Sequence, residues 1–245
     1  MIKNVLVVGG ANGIGLAIAC ELAARKETKT VYVVDKAPID ELYMHPKFDY
    51  IQFDLTNEDY SIFDTFDDIN SLIITAGFGQ LALFKDVSER YIIDSFNVNA
   101  ISVLRIIKHF YYKLEAQDIF YCGVMDSIAG WMSSPLFAVY GATKASLKIF
   151  IESVNVELKK SGSKNVILNV SPGLIKGSKF YGKSNNLEEL QGLSHEIIMQ
   201  LEAHSDLYIP KYDEIYRDVL ERYHKDFRAE GSHSYEFKIQ SGRIY

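Results

Sequence analysis

The apolar run Val5–Val8 leads straight into the glycine-rich segment GGANGIG, residues 9–15, and then into a helical pattern at Ile14–Arg25. A strand, a tight turn and a helix in that order belong to sheets whose parallel strands are joined by crossover helices. The pattern recurs. Candidate strands are Asn4–Val8, Thr30–Asp35, Tyr50–Phe53, Ser71–Thr75, Asp118–Cys122 and Asn165–Val170. They are apolar throughout rather than alternating, as strands covered on both faces must be. Helical patterns fall between them at Ile14–Arg25, Glu58–Phe66, about Ser88–Leu114 and Val139–Lys160. The expected fold class is therefore α/β, a doubly wound parallel sheet with right-handed crossovers and helices on both faces.

Composition narrows the function classes. With 48% hydrophobic residues in 245, the chain has ample core and is neither fibrous nor disordered. The net charge of −6 comes without a dense basic run, which argues against nucleic acid as a partner. Cys20 and Cys122 are far apart in apolar surroundings, which predicts reduced thiols, no disulfide framework and no metal site. No apolar run approaches the ~20 residues that span a bilayer, and Met1 leads into the first strand without a signal-peptide pattern, so a cytoplasmic protein with no membrane partner is expected. There is no repeat or Pro/Ser-rich linker, which predicts one domain over residues 1–245.

Past Pro172-Gly173 the pattern loosens. A loop is expected over about 177–192, then a helix at about Ser194–His204 and a short apolar run at Leu207-Tyr208-Ile209 before Pro210. An amphipathic helix follows at Asp213–Arg228, with Ile215, Val219, Leu220, Tyr223 and Phe227 on one side. A last strand is expected at Tyr235–Ile239 within an atypical C-terminal extension, about 207–245.

Gly9 ends the first strand where the chain must turn tightly and let backbone approach a ligand. Gly13, Ile14 and Gly15 open the helix, whose N-terminal N–H groups and dipole favour phosphate. Asn12 is uncharged and adds no phosphate clamp. Asp35 closes the second strand, 20 residues past Gly15, at the offset where a carboxylate accepts hydrogen bonds from an adenosine ribose. It would repel a 2′-phosphate, favouring NAD over NADP, although Lys36 beside it softens that preference.

A second constellation handles protons. Tyr140 and Lys144 are four residues apart at the start of a long helix, so they share a face. The same spacing occurs at Tyr32/Lys36 and Tyr43/Lys47, but Tyr32 lies in a strand run and Tyr43 just before Pro46. Only Tyr140 has a serine, Ser127, 13 residues upstream and just past a strand. An unperturbed phenol titrates near 10, and a neighbouring ammonium draws that down by stabilising the phenolate. A serine hydroxyl can hold a substrate oxygen as charge develops on it.

Together these residues resemble the short-chain dehydrogenase/reductase family over roughly residues 3 to 178. The motifs are GGANGIG, Asp35, Asp54-Leu55-Thr56, Thr75-Ala76-Gly77, Asn97-Val98-Asn99, Ser127, Tyr140, Lys144 and Ser171-Pro172-Gly173. The resemblance implies a Rossmann fold, with Tyr140 as acid/base, Lys144 tuning it and gripping the nicotinamide ribose, and Ser127 orienting the substrate oxygen. Asn99 matches an asparagine that holds a relay water, with Asn97 as the register alternative. Asp54 and Leu55 match a segment beside adenine, Ala76-Gly77 the end of the fourth strand, and Pro172-Gly173 with Ile175 the turn beside the nicotinamide. Three positions depart from the pattern. Val8 replaces a threonine, Ile74-Thr75 replaces paired asparagines whose side chains brace the sheet centre, and Ser178 stands in for a missing threonine. The C-terminal extension departs from the usual tetrameric members, while Gly141, Ala142 and Ala145 permit the close helix approach of a homodimer.

The resulting expectation is an enzyme moving a hydride between NAD(H) and a secondary alcohol or ketone, its partner a small-molecule alcohol or carbonyl substrate. A non-catalytic NAD-sensing protein and a cofactor-retaining isomerase or dehydratase remain open. Trp131, Met132, Leu136 and Phe137 are expected either to line an apolar substrate pocket or to serve as interface or core residues.

Overall fold

A computed structural model describes residues 1–178, 180 and 185–240. Seven strands form one sheet in the order β3-β2-β1-β4-β5-β6-β7, and every neighbouring pair is parallel. They are β1 Asn4–Val8, β2 Thr30–Asp35, β3 Phe48–Gln52, β4 Ser71–Ile74, β5 Tyr121–Met125, β6 Ile167–Val170 and β7 Leu207–Tyr208. The order reverses direction between β1 and β4, which leaves a crevice at their C-terminal ends.

Each central strand sends alternate residues to opposite faces, and both faces are covered. Val5, Val7, Val31, Val33 and Ile73 pack under α1 (Gly13–Ala24) and α6 (Leu187–Glu202). Leu6, Val8, Val34, Leu72 and Ile74 pack under α3 (Ser102–His109), α4 (Tyr111–Glu115) and α5 (Ala138–Ser161). Double coverage is why these strands carry no polar alternation.

Several boundaries differ from the sequence expectation. The expected helix Glu58–Phe66 is a short 3₁₀ turn, Ser61–Thr65. The fifth strand lies three residues later than Asp118–Cys122, because Asn165 captures the approach to it. Asn165 Oδ1 accepts from Phe120 N at 2.9 Å, and its Nδ2 lies within 3.3 Å of the carbonyls of Lys113, Leu114, Ala116 and Asp118. The long helix expected from Ser88 is broken into α2 (Glu89–Phe96), a π-helical segment (Asn97–Ile101), α3 and α4. Such segments insert a residue and re-aim side chains.

The C-terminal third departs most. Helix α6 begins at Leu187, seven residues earlier than expected, with Glu188 and Glu189 favouring its first turn. The substrate loop is therefore shorter than 177–192, and residues 179 and 181–184 of it lie outside the described residues. The expected helix Asp213–Arg228 is a π turn, Tyr212–Tyr216, followed by α7, Arg217–Lys225. Leu220 is buried, but Ile215 and Phe227 are exposed. The strand expected at Tyr235–Ile239 is instead part of helix α8, Phe227–Gln240. Local bonds favour the helix: Asp226 Oδ1 accepts from Arg228 N and Ala229 N, and Arg222 pairs with Glu230 at 2.8 Å. Residues 241–245 lie outside the described residues. Among the described residues, no helix is long and apolar enough to cross a membrane.

Asn165 is 1% exposed and joins two connections to the sheet. Asn165→Ala leaves a buried N–H and several carbonyls unpaired, which costs about 2–4 kcal/mol of stability in chemical denaturation. A loss below about 0.5 kcal/mol, the range of ordinary surface substitutions, would rule this account out.

Candidate active site

The crevice between β1 and β4 opens into a cleft of about 420 Å³. Its floor is made by backbone contact too close for side chains. Gly9 has φ +83°, and a Cβ there would lie 2.4 Å from Ala76 N. A Cβ on Gly15 would lie 2.3 Å from Gly9 O and from Thr75 Oγ1. The Thr75 hydroxyl donates to Gly9 O at 3.0 Å. The expectation that Ile74-Thr75 loses the sheet-centre brace is thus corrected, since a shorter side chain bonds the glycine turn directly.

Asn12 stands at the N-cap position of α1 without a side-chain cap, and Gly13 N donates to Asn185 Oδ1 at 2.9 Å. An oxygen acceptor therefore sits on the helix N-terminus where a phosphate oxygen is expected. Ile14 lines the same stretch, and Ser178 borders it, buried and donating to Ile175 O. Asp35 is held by two backbone donors: Oδ2 accepts from Ala11 N and Oδ1 from Ala37 N, both at 3.0 Å. Lys36, Asp54 and Leu55 line the same end. The Thr56 N–H holds the Asp54 carboxyl below the usual range; burial opposes it, and the Thr56 hydroxyl and Lys36 add smaller lowering contributions.

The other end gathers Ser127, Tyr140 and Lys144. Ser127 follows β5 and caps a 3₁₀ turn, Ile128–Gly130, its Oγ accepting from Ala129 N at 3.2 Å. That turn packs on α5 so closely that a Cβ on Gly130 would lie 2.7 Å from the Lys144 backbone. Tyr140, on the first turn of α5, lies with its ring centroid 5.0 Å from Phe137 and 5.4 Å from Phe180. Lys144 is 3% exposed, donates to Met125 O at 2.7 Å, and places Nζ 5.8 Å from the Tyr140 ring centroid. Burial pushes the Lys144 amine down to about 8, with the Asp126 carboxylate opposing the shift.

Ala76, Gly77, Pro172, Gly173 and Ile175 complete the wall. Among the expected site residues, only Asn99 stands off it. Its Oδ1 accepts from Phe78 N at 2.9 Å, and its Nδ2 donates to Phe78 O at 2.8 Å and Thr143 Oγ1 at 3.2 Å. The π segment turns Asn99, rather than Asn97, toward α5, and Asn99 braces the loop after β4 with its whole amide.

Trp131, Met132, Leu136 and Phe137 do not line the cleft. Trp131 donates from Nε1 to Ser171 Oγ at 2.9 Å, and with Met132 and Tyr216 it packs on Ile128, Ile209 and Leu220. Phe78, Gly79 and Phe180 stand at the cleft instead. Sequence reasoning missed Asp126, a buried carboxylate one residue before Ser127 that was visible as an acid ending an apolar run. It also missed Tyr216, whose hydroxyl lies 1.5 Å from where a Cβ on Gly173 would be. No local signal marks Tyr216, because it reaches Gly173 from the C-terminal extension.

A dinucleotide fits this cleft. The close-packed glycine floor leaves room for backbone approach, the first helical N–H takes an oxygen ligand, and a carboxylate and an ammonium stand at opposite ends. Among the described residues, no group of three or more His, Cys, Asp or Glu could hold a metal ion.

The family model for short chain dehydrogenases matches residues 3–188. An uncharacterized short-chain type dehydrogenase/reductase of Sinorhizobium fredii is 31% identical over 159 residues, 62% of each chain. The chain thus spans less than two thirds of that relative's length. Cyclopentanol dehydrogenase of a Comamonas strain is 29% identical over 187 residues, 71% of this chain and 73% of the relative. A solved short-chain dehydrogenase from Streptomyces avermitilis superposes with TM-score 0.76 at 20% identity, covering 98% of this chain and 99% of that one. With a model matching most of its length, this chain belongs to the short chain dehydrogenase family.

Proposed function

We propose that this chain, acting as one unit over residues 1–245, is an NAD-dependent oxidoreductase that interconverts a secondary alcohol and its ketone. One observation carries the reading: Ser127, Tyr140 and Lys144 line the same cleft as the glycine cradle. The roles are those that the family resemblance implies for residues placed in this way. The cradle of Gly9, Gly13 and Gly15 holds the pyrophosphate, Asp35 the adenosine ribose, and Lys144 the nicotinamide ribose. The nicotinamide supplies or accepts the hydride when bound. Ser127 hydrogen-bonds the substrate oxygen and aims it at Tyr140. Tyr140 takes the hydroxyl proton in oxidation and returns one to the ketone oxygen in reduction. The buried Lys144 ammonium stabilises the phenolate, and Asn99 keeps the loop at Phe78 and α5 in register.

Phe78 and Phe180 line the cleft that holds Tyr140, which supports an apolar alcohol or ketone as substrate. A cytoplasmic location goes with this reading, as two cysteines left unpaired suit a reducing compartment. A homodimer through α5 is supported by Ile149 and Val156, which are 58% and 60% exposed. Gly141 also serves a purpose within the chain. A Cβ there would lie 3.0 Å from Ala129 O, so its small size admits the Ser127 turn.

Three experiments test the proposal. Tyr140→Phe lowers turnover of a secondary alcohol by about 10²–10⁴-fold, the usual reach of general acid/base catalysis, while NADH affinity stays unchanged by fluorescence titration. Full turnover in that variant rules out the assigned role. Asp35→Ser removes the ribose acceptor and the repulsion of a 2′-phosphate, so the ratio of kcat/KM for NAD to that for NADP falls about tenfold or more. An unchanged ratio means that Asp35 does not read the ribose. Sedimentation equilibrium at micromolar concentration reports twice the 27.8 kDa chain mass, and Ile149→Glu returns it to the monomer. A monomeric wild-type chain excludes the dimer.

A further inference from the structure

The proton-handling end of the cleft contains a carboxylate that the scheme above does not use. Asp126 follows β5 directly, is 1% exposed, and lines the cleft beside Tyr140 and Lys144. Its N–H donates to Val170 O at 2.7 Å, which pins it between β5 and β6. Asp126 Oδ2 accepts from Asn169 Nδ2 at 3.2 Å and lies 3.4 Å from Ser171 Oγ. Asp126 Oδ1 is buried and has no hydrogen-bond partner among the described residues. Ser171 Oγ accepts from Trp131 Nε1 at 2.9 Å and lies 2.7 Å from Asn169 Oδ1. A hydroxyl has one proton, and the shorter contact assigns it to Asn169. The carboxylate is left with one good side-chain donor and a weaker approach from the Ser127 N–H for two oxygens, short of the saturation that a buried anion requires.

An anion so poorly solvated needs a cation, and the one at hand is Lys144. Its ammonium is held at Met125 O, on the residue preceding Asp126. Of the other ionisable groups near this end, α5 contributes Tyr140 and, one turn on, Lys148, which is paired with Glu152 and stands 4.6 Å from the Trp131 ring centroid. Lys238 of α8 lies over Phe137, and the Tyr216 phenol abuts Gly173. From β6 and the π segment come only neutral side chains, Asn169, Ser171 and Asn99. Helix α6 covers the far side of the sheet with Ile197, Ile198 and Leu201.

We propose that Asp126 is a positioning residue, the counter-ion that keeps Lys144 charged and sets the pH window of the Tyr140–Lys144 pair. The proposal rests on the reading of Tyr140 as the proton-transfer group. The carboxylate acts in two ways, both of which move the window toward higher pH. Its attraction keeps Lys144 protonated at a pH where burial alone would strip the proton. Its repulsion opposes the Tyr140 phenolate, so the phenolate forms at higher pH than it would beside Lys144 alone. A neutral residue at position 126 reverses both effects, and the two limbs of the pH–rate profile move down together. Burial pushes Asp126 itself up to about 6, against the pull of Lys144, so the wild-type chain should lose its distinction from a neutral variant below that pH.

The test pairs a titration with kinetics. The Lys144 Cε resonance of ¹³C-lysine-labelled, cofactor-free protein, identified by its absence in Lys144→Arg, is followed against pH in wild type, Asp126→Asn and Asp126→Ser. Either neutral variant lowers the Lys144 midpoint by about one unit or more, the usual effect of losing a nearby opposite charge. Cyclopentanol oxidation with NAD, or with the best alcohol from a screen, shows both limbs of the profile displaced downward in the same variants. Ser171→Ala, which disturbs the hydrogen-bond network without removing charge, leaves both limbs in place.

An unshifted Lys144 midpoint overturns the proposal whatever the activity. Limbs displaced equally by Ser171→Ala overturn it as well, since packing rather than charge would then set the window. Full turnover in Tyr140→Phe alongside a shifted Lys144 midpoint overturns the proton-transfer reading. In that case the pH-window role falls with it and the counter-ion pairing stands. Asp126→Ser keeps the test open should Asp126→Asn fail to fold.

Discussion

The contact between the glycine turn after β1 and the end of β4 is the constraint on which the site depends. Gly9 and Gly15 bring backbone within reach of Ala76 and Thr75 that no side chain would allow. The Thr75 hydroxyl closes the junction by donating to Gly9 O. Because β1 and β4 are neighbours at the point where strand order reverses, this close approach leaves the crevice open above it. Helix α1 can then aim its N-terminus into the crevice. Were the turn and β4 farther apart, Asp35 and Ser127 would not border one cleft.

Electrostatics shape the opposite end at some cost. Lys144 and Asp126 are both almost fully buried, and burial drives both toward their neutral forms. Burying a charge is costly unless other groups compensate for the lost water. Their placement beside Tyr140 is what the proposed counter-ion role draws on, since a charge in a water-poor place acts more strongly than it would in bulk water. Strands β5 and β6 supply the rigid walls that make this work, since Asp126, Asn169 and Ser171 all project from their ends.

Much of the architecture was legible from periodicity. Uniformly apolar strands and long helical patterns located the first six strands and α1 and α5, because double burial leaves a strong signature. The glycine turn, Asp35, Ser127, Tyr140 and Lys144 were legible for a different reason. Their chemistry restricts residue type and spacing, and helix geometry places i and i+4 on one face. The C-terminal third was legible only in part: a helix before Leu207 and a short apolar segment there were expected and are present as α6 and β7, but the end of the chain was not. Tyr235, Phe237 and Ile239 alternate as a strand would, yet Asp226 and the Arg222–Glu230 pair hold them in a helix whose apolar side chains stay exposed. Likewise nothing local in the run from Ser88 announces a π segment, and that segment decides which asparagine turns toward α5.

The sequence by itself determined the sheet class, and it picked out the glycine turn and the Ser127, Tyr140 and Lys144 set that share one cleft, since each follows from local periodicity or from spacing along the chain. Tertiary structure decided what surrounds them. It set Thr75 under Gly9, spent the Asn99 amide on Phe78 and Thr143, drew Trp131 away from the cleft to Ser171, laid Tyr216 on Gly173 and buried Asp126 near Lys144. These pairs lie on different elements, and many of them lie far apart in the chain. Only the packing of strands and helices into one sheet brings them within hydrogen-bond or Coulomb range.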